Sequence, residues 1–183
     1  KHQPLIGKWN LARFAETLLP LLGSQREGIA NEALEHFDRV YAAEFLSIMQ
    51  KKLGLLEDHP ENASVIQSLL NCMANDGLDY SDTFVKLTLG TLPPNPSETF
   101  AKWQEAWMGL RQRQSHSLEI QREVMKAHNP TVIPRNHLVE EALTQWTVRG
   151  NRQPFMSLLD LLKTPYAYTS DHLEKGAAQD SWP

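Results

Sequence analysis

The sequence predicts an all-α fold, an irregular multi-helix bundle forming a single helical domain over residues 1–183. Three observations carry that expectation. Apolar residues recur at i, i+3, i+4 and i+7 along almost the whole chain, the rhythm of helices with one buried face. Only short stretches alternate with period two, so no sheet is expected. The periodic segments are separated by Pro, Gly and Asn-rich breaks, which end helices for definite steric reasons.

The first helix is read from Leu11, Phe14, Ala15, Leu18, Leu19 and Leu22, with Pro20 ending or kinking it before Gly23-Ser24. A second follows, with Ile29, Ala33, Phe37, Val40, Tyr41, Phe45, Ile48 and Met49 on one side. Its solvated side carries Glu32, Glu35, Arg39, Lys51 and Lys52, and Gly54 closes it. A shorter helix is expected from Ala63 to Met73, before the turn signal Asn75-Asp76-Gly77. Another covers Asp82 to Leu89, with Ser81 as its N-cap. Pro93-Pro94-Asn95-Pro96 is the strongest break and is read as an ordered connection within one helical unit.

Ser97 suits the N-cap of the longest helix, Glu98 to Lys126, whose apolar stripe includes Phe100, Trp103, Trp107 and Leu110. At 1.5 Å per residue it would reach about 45 Å. Asn129-Pro130 ends it. Pro134 is placed as the first residue of a helix running to Val148, with Leu138, Ala142, Leu143 and Trp146 facing inward and Gly150 as its stop. Pro154 to Leu162 reads as one more short helix, and Asp171-His172-Leu173-Glu174 as the capped start of a final turn.

Composition narrows the functional classes. The formal charge of −4 excludes a generally basic nucleic-acid binder while leaving room for a local basic site. No apolar run approaches the roughly 20 residues that cross a bilayer, so neither nucleic acid nor membrane is expected as a partner. Cys72 is the single cysteine, which rules out an intrachain disulfide and a cysteine-based zinc site and suits a reducing, cytoplasmic setting. Asn62-Ala63-Ser64 matches a glycosylation acceptor, but nothing else looks secreted. Lys1 is not a methionine, and the apolar pattern starts at once. The far end, Ser181-Trp182-Pro183, shows no closing element, so the chain is expected to be a piece of a longer protein.

Chemistry-bearing motifs are sparse. None of the seven histidines has a Glu three positions before it, as a di-iron helical bundle requires, so no metal site is expected. There is no Gly-rich phosphate loop and no G-x-S-x-G elbow. Cys72, on an apolar helix, reads as core rather than nucleophile, and the Trp103/Trp107 stripe reads as core rather than a stacking platform. One cluster stands out: Asn129-Pro130-Thr131-Val132-Ile133-Pro134-Arg135-Asn136-His137, followed by Glu140-Glu141-Ala142. With free N–H groups and a guanidinium at a helix start, Arg135, Asn136 and His137 form a candidate anion or interdomain site. The alternative is structural: Arg135 and Asn136 tie down backbone carbonyls or pair with Glu140 and Glu141.

Two motifs, Gln3-Pro-Leu-Ile-Gly-Lys-Trp9-Asn10-Leu-Ala-Arg13 and Asn129-Pro-x-x-x-Pro134-Arg135-Asn136-His-x-x-Glu140-Glu-Ala142, resemble the selenoprotein O family of kinase-like proteins. Pro154-Phe155 through Pro165-Tyr166 is similar to the same family. The resemblance implies a pseudokinase that transfers AMP from ATP to Ser, Thr or Tyr hydroxyls of proteins, with Mg or Mn. The family's nucleotide-binding lysine and metal-binding Asn and Asp precede the part seen here. No catalytic, cofactor-binding or metal residue is therefore carried over, and no cofactor is expected within this piece. It resembles a helical C-lobe extension whose partners would be the missing kinase-like lobe of the same chain and the parent's protein substrates. The family's closing cysteine or selenocysteine motif has no counterpart here.

Two functions compete. One is a supporting lobe of a protein adenylyltransferase, inactive alone. The other is a stand-alone interaction module presenting its Trp-bearing helix to a partner. A lobe separated from its partner should expose a large apolar patch, expected around Trp9 and Phe14.

Overall fold

The computed structural model describes residues 3–91 and 96–177. Pro93-Pro94-Asn95 of the proline-rich break, and Ser181-Trp182-Pro183, lie outside the described residues. Among those residues all regular structure is helical, as expected: α1 (Gln3–Leu18), α2 (Arg26–Lys52), α3 (Asn62–Asn75), α4 (Tyr80–Leu89), α5 (Glu98–Arg113), α6 (Leu118–His128), α7 (Asn136–Arg149), α8 (Gln153–Lys163) and α9 (Ser170–Gly176). The chain divides into two compact units, Lys1–Ile48 and Met49–Pro183.

The first unit is an antiparallel helical hairpin. α1 ends at Leu18, and Pro20 sits in the 3-10 turn that follows, where its missing N–H costs nothing. Lys8 pairs with Asp38 at 2.5 Å. Phe37, Tyr41 and Phe45 stack in sequence at i, i+4 spacing, with centroids 6.2 Å apart. Ala12, Ala15 and Leu19 face Ala30 and Leu34 across a groove of about 370 Å³, so the two helices touch loosely. No described side chain of this unit is buried. Trp9 is 60% and Phe14 61% exposed, and the stripe read as a buried face is only partly covered, with Ala15, Leu18, Leu19 and Leu22 half-buried and Leu11 and Phe14 exposed.

The second unit holds the core. Leu53 and Leu55 just after α2, Val65, Ile66 and Leu69 of α3, Phe84 of α4, Phe100, Trp103, Trp107 and Leu110 of α5, and Met125 of α6 are all buried. Each such side chain contributes about 1.5–3 kcal/mol by leaving water. Trp103 and Trp107 stack at 5.4 Å, and their indole N–H groups donate to the carbonyls of Val65 (2.8 Å) and Leu53 (2.9 Å). They are core, as read from the sequence, and Cys72 is buried as well. α2 closes at Gly54, whose φ of +69° only glycine adopts readily; a side chain there would also crowd Met125 Sδ at 3.0 Å.

Several boundaries differ from expectation. The single helix Glu98–Lys126 is two helices, broken at Gln114 to Ser117. The Gln114 side chain accepts from the Leu56 and Glu57 N–H groups (2.5 and 3.2 Å) and donates to Gly54 O (3.0 Å). Glu57 accepts from the Ser115 N–H (2.9 Å) and hydroxyl, and Ser117 then caps α6 through Ile120 N. Local side chain to backbone bonds thus outcompete helix continuation. α4 starts at Tyr80 because Asp79, not Ser81, accepts from Asp82 N at 2.8 Å. α7 starts at Asn136 rather than Pro134. Arg135 is extended, and its N–H donates to Ile133 O at 2.8 Å, closing a γ-turn on Pro134. On α7 Ala142 is buried, but Leu143 and Trp146 are 42% and 43% exposed rather than inward. α9 is capped by Thr169, one residue before it starts.

Candidate functional site

The Asn129–Arg135 cluster is a strap, and most of its side-chain polar groups bond to named partners. Asn129 follows the end of α6 and is fully buried. Its side-chain amide donates to Lys52 O and Thr88 Oγ1, both at 2.8 Å, and its carbonyl accepts from the Tyr168 hydroxyl at 2.8 Å. Its Oδ1 has no partner. Burial pushes the Tyr168 phenol up from its ordinary range.

Lys52 was read as part of a solvated face, but it is buried. Nζ donates to His128 O at 2.9 Å, at the carbonyl end of α6, and lies 4.8 Å from the Phe84 ring centroid. Desolvation lowers its pKa to about 8. The other residues of that face, Glu32, Glu35, Arg39 and Lys51, are exposed as expected. Thr131 is tied at both ends: its N–H donates to Pro165 O at 2.8 Å, and its hydroxyl lies between the carbonyls of Pro165 (3.0 Å) and Ala167 (2.8 Å). Gly176 packs so closely on this backbone that a Cβ would stand 1.6 Å from Thr131 O.

Arg135 completes the strap. Nη1 and Nη2 each lie 2.9 Å from one oxygen of Asp79, a bidentate pair, and Nη2 also donates to Gly176 O at 3.3 Å. Its Nε is buried without a partner. The Arg135 hydrogen bonds hold the Asp79 carboxyl below its ordinary range, and Asp79 in turn raises the guanidinium. One carboxylate therefore starts α4, fixes the approach to α7 and, through Arg135, holds the end of α9.

Of the three residues singled out in the sequence, only Arg135 is engaged here. Asn136 is exposed, His137 is half-buried, and neither side chain makes a hydrogen bond among the described residues. Arg135 pairs with Asp79 rather than with Glu140 or Glu141, so its guanidinium already holds an anionic group. Sequence reasoning missed Asp79, Lys52 and Gly176. Asp79 carried a signal, an acidic residue just before an amphipathic segment. Lys52 and Gly176 carried none, because their roles arise from packing against residues far away in the chain. Burial of Trp103 and Trp107 also withdraws the face that the interaction-module reading relied on. No grouping of three His, Cys, Asp or Glu among the described residues could hold a metal ion.

Known proteins match this sequence over nearly the whole chain. The family model described as Protein adenylyltransferase SelO matches residues 1–163. The chain is 43% identical over 175 residues to the Protein nucleotidyltransferase YdiU of Clostridium botulinum (strain Eklund 17B / Type B), covering 92% of this chain and 36% of that protein. It is 39% identical over 179 residues to the protein of that name from Bacillus cereus (strain AH187), covering 94% and 37%. It is 40% identical over 183 residues to that of Brevibacillus brevis, covering 94% and 36%. The chain thus spans a little over a third of the length of these curated relatives. With the match across both motif regions, it belongs to the protein adenylyltransferase SelO family.

Proposed function

We propose that this chain is the helical supporting portion of a longer protein adenylyltransferase, which moves AMP from ATP to Ser, Thr or Tyr hydroxyls of proteins. The observation that carries the reading is the family match over residues 1–163, together with relatives named protein nucleotidyltransferases. The strap supports the supporting role, since its guanidinium, amide and hydroxyl groups are spent on Asp79 and on backbone carbonyls. ATP with Mg or Mn is implied for the parent, but the residues described here do not fit it. They offer no metal-binding group of three, and Asp79 closes the guanidinium of the strap. No step of the transfer is assigned to this chain.

The parent's kinase-like part is then the partner of residues up to Ile48. Leu5 and Trp9, four residues apart on one side of α1 and 68% and 60% exposed, and Phe14, 61% exposed, are apolar side chains that such a partner would cover. No helix among the described residues is long and apolar enough to cross a membrane. A free, buried Cys72 accords with work in the cytoplasm.

The test uses the full-length parent with α-labelled ATP, Mg or Mn, and an unfolded acceptor protein. Label is expected on acceptor hydroxyls with the parent and not with residues 1–183 alone. Labelling by the 183-residue chain would overturn the supporting role, and a parent that labels nothing would overturn the adenylyltransferase reading.

A further inference from the structure

Among the described residues Arg111 of α5 is the one buried arginine, at 7% exposed. Burying a guanidinium is costly, and the usual compensation is a carboxylate. Arg13, Arg113 and Arg135 each have one, in Glu16, Glu61 and Asp79, whereas Arg111 is in no ion pair among the described residues. Neutral groups fix its position instead. The guanidinium carbon lies 4.8 Å from the Trp107 ring centroid, and Nε donates to Gln121 Oε1 at 2.8 Å. Gln121 is itself fully buried. Its Nε2 donates to the carbonyls of Arg111 and His116, both at 2.9 Å, so the amide that holds Arg111 has one orientation.

These contacts engage only the Nε edge and one face of the guanidinium. Its two Nη groups bond to nothing among the described residues, yet they are not sealed from water, unlike the orphaned Nε of Arg135. Their N–H donors are therefore free and in contact with solvent. A second arginine stands beside them. Arg122 follows Gln121 on α6, is exposed, and is likewise in no ion pair among the described residues. Its Nη2 lies at the C-terminal end of α4, 3.8 Å from the place of a Cβ on Gly90. Burial first, and the nearness of Arg122 second, disfavour the charge on Arg111. Two cations so placed repel each other until an anion stands between them.

We propose that Arg111 and Arg122 bind a phosphate group, either as the free ion or as a monoester. Arg111 presents the Nη fork, pre-set by Trp107 and Gln121, and Arg122 closes on the ion from solvent. Charge and shape favour phosphate over carboxylate. A dianion balances two guanidiniums, and its three or more acceptor oxygens take the fork of one arginine and a donor of the other. A carboxylate, with one charge and two oxygens, fills the fork and leaves Arg122 unbalanced. The strap shows that contrast within the same molecule, since Asp79 alone satisfies the fork of Arg135. The inference goes beyond AMP transfer and does not depend on it, because it uses neither a divalent metal nor a nucleotide.

The experiment uses the full-length parent, isotope-labelled at arginine and free of divalent metal, with the side-chain Nε–H groups followed by NMR. The Arg111 Nε–H, sheltered by its bond to Gln121, should give a resolved signal that Arg111→Met removes. Inorganic phosphate and glycerol phosphate are titrated separately, with acetate as the carboxylate control. A saturable shift of that signal by phosphate is expected. If glycerol phosphate produces it too, the site takes a monoester; if only inorganic phosphate does, it takes the free ion. Arg122→Gln, on an exposed side chain, should weaken binding at least tenfold with the melting temperature unchanged, and Arg122→Lys should recover part of the loss. Calorimetry of the wild type against Arg122→Gln reads the same loss should Arg111→Met fail to fold. The proposal fails if neither phosphate moves the signal, if acetate moves it as strongly at equal concentration, or if the shift never saturates. It also fails if Arg122→Gln binds phosphate as the wild type does.

Discussion

Arg135 shows how one side chain is worth more than its contacts suggest. Its removal leaves Asp79 half-buried without its bidentate partner and releases the Gly176 carbonyl. Arg135→Ala should therefore cost about 2–4 kcal/mol, mostly the penalty of an unpaired carboxylate. The effect belongs to folding rather than to ligand affinity. Lys, a point charge without the planar fork, should restore only part of the loss. The check is a urea melt of both variants beside Asp79→Asn, in a double-mutant cycle. Because the folded-state pKa of Asp79 is depressed, the pair's stabilisation is present above the unfolded carboxyl value, about 3.9, and is lost as pH falls through the folded one. Lys52 has the opposite dependence. Its pKa falls from 10.5 to about 8, so between those values the unfolded chain binds a proton that the folded chain does not. Stability from this group rises as pH increases through that window. Melting temperatures of the wild type and Lys52→Met, compared from pH 7 to 11, should diverge there. A constant difference would place Lys52 at its ordinary value.

At the scale of elements, the decisive contact is between the strap and the last helix. α9 has only seven residues, too short to persist by itself, and its position depends on Thr169, Arg135 and the contact of Gly176 with Thr131. Gly176→Ala cannot be absorbed by a side-chain rotation, because the obstructing atom is a backbone oxygen at 1.6 Å. α9 should detach, with its amides and that of Thr131 losing hydrogen-exchange protection while those of α5 keep theirs. Equal protection in the variant would mean that the strap yields instead. The same contrast explains which elements were legible in the sequence. Helices with strong periodicity and an N-cap of their own, such as α5 after Ser97, were readable from local chemistry. The break at Gln114 was not, because it is made by Glu57 and by the backbone at Gly54 and Leu56, more than fifty residues away. In the same way Arg135 could be identified as a candidate, but its partner Asp79 lies 56 residues earlier, a pairing that no helical spacing encodes.

At the scale of the molecule, the two units stand on different energetic footings. The unit from Met49 onward buries a contiguous set of large apolar side chains and closes its polar groups around them. The unit up to Ile48 has no buried side chain among its described residues, although its helices span 16 and 27 residues. In proteins most helical stability comes from packing an apolar face, and α1 has no such packing. Its stabilising contacts to α2 are few: one ion pair to Asp38 with both side chains about half exposed, worth under about 1 kcal/mol, and a loose groove of small residues. Residues up to Ile48 should therefore exchange their amide hydrogens quickly in the 183-residue chain, in contrast to α5 and the strap. In the full-length parent the same amides should gain at least tenfold protection, and Trp9→Ser with Phe14→Ser should cancel that gain while leaving α5 unaffected. Slow exchange of α1 in the 183-residue chain would show that the hairpin sustains itself, and its apolar face would then need no covering surface.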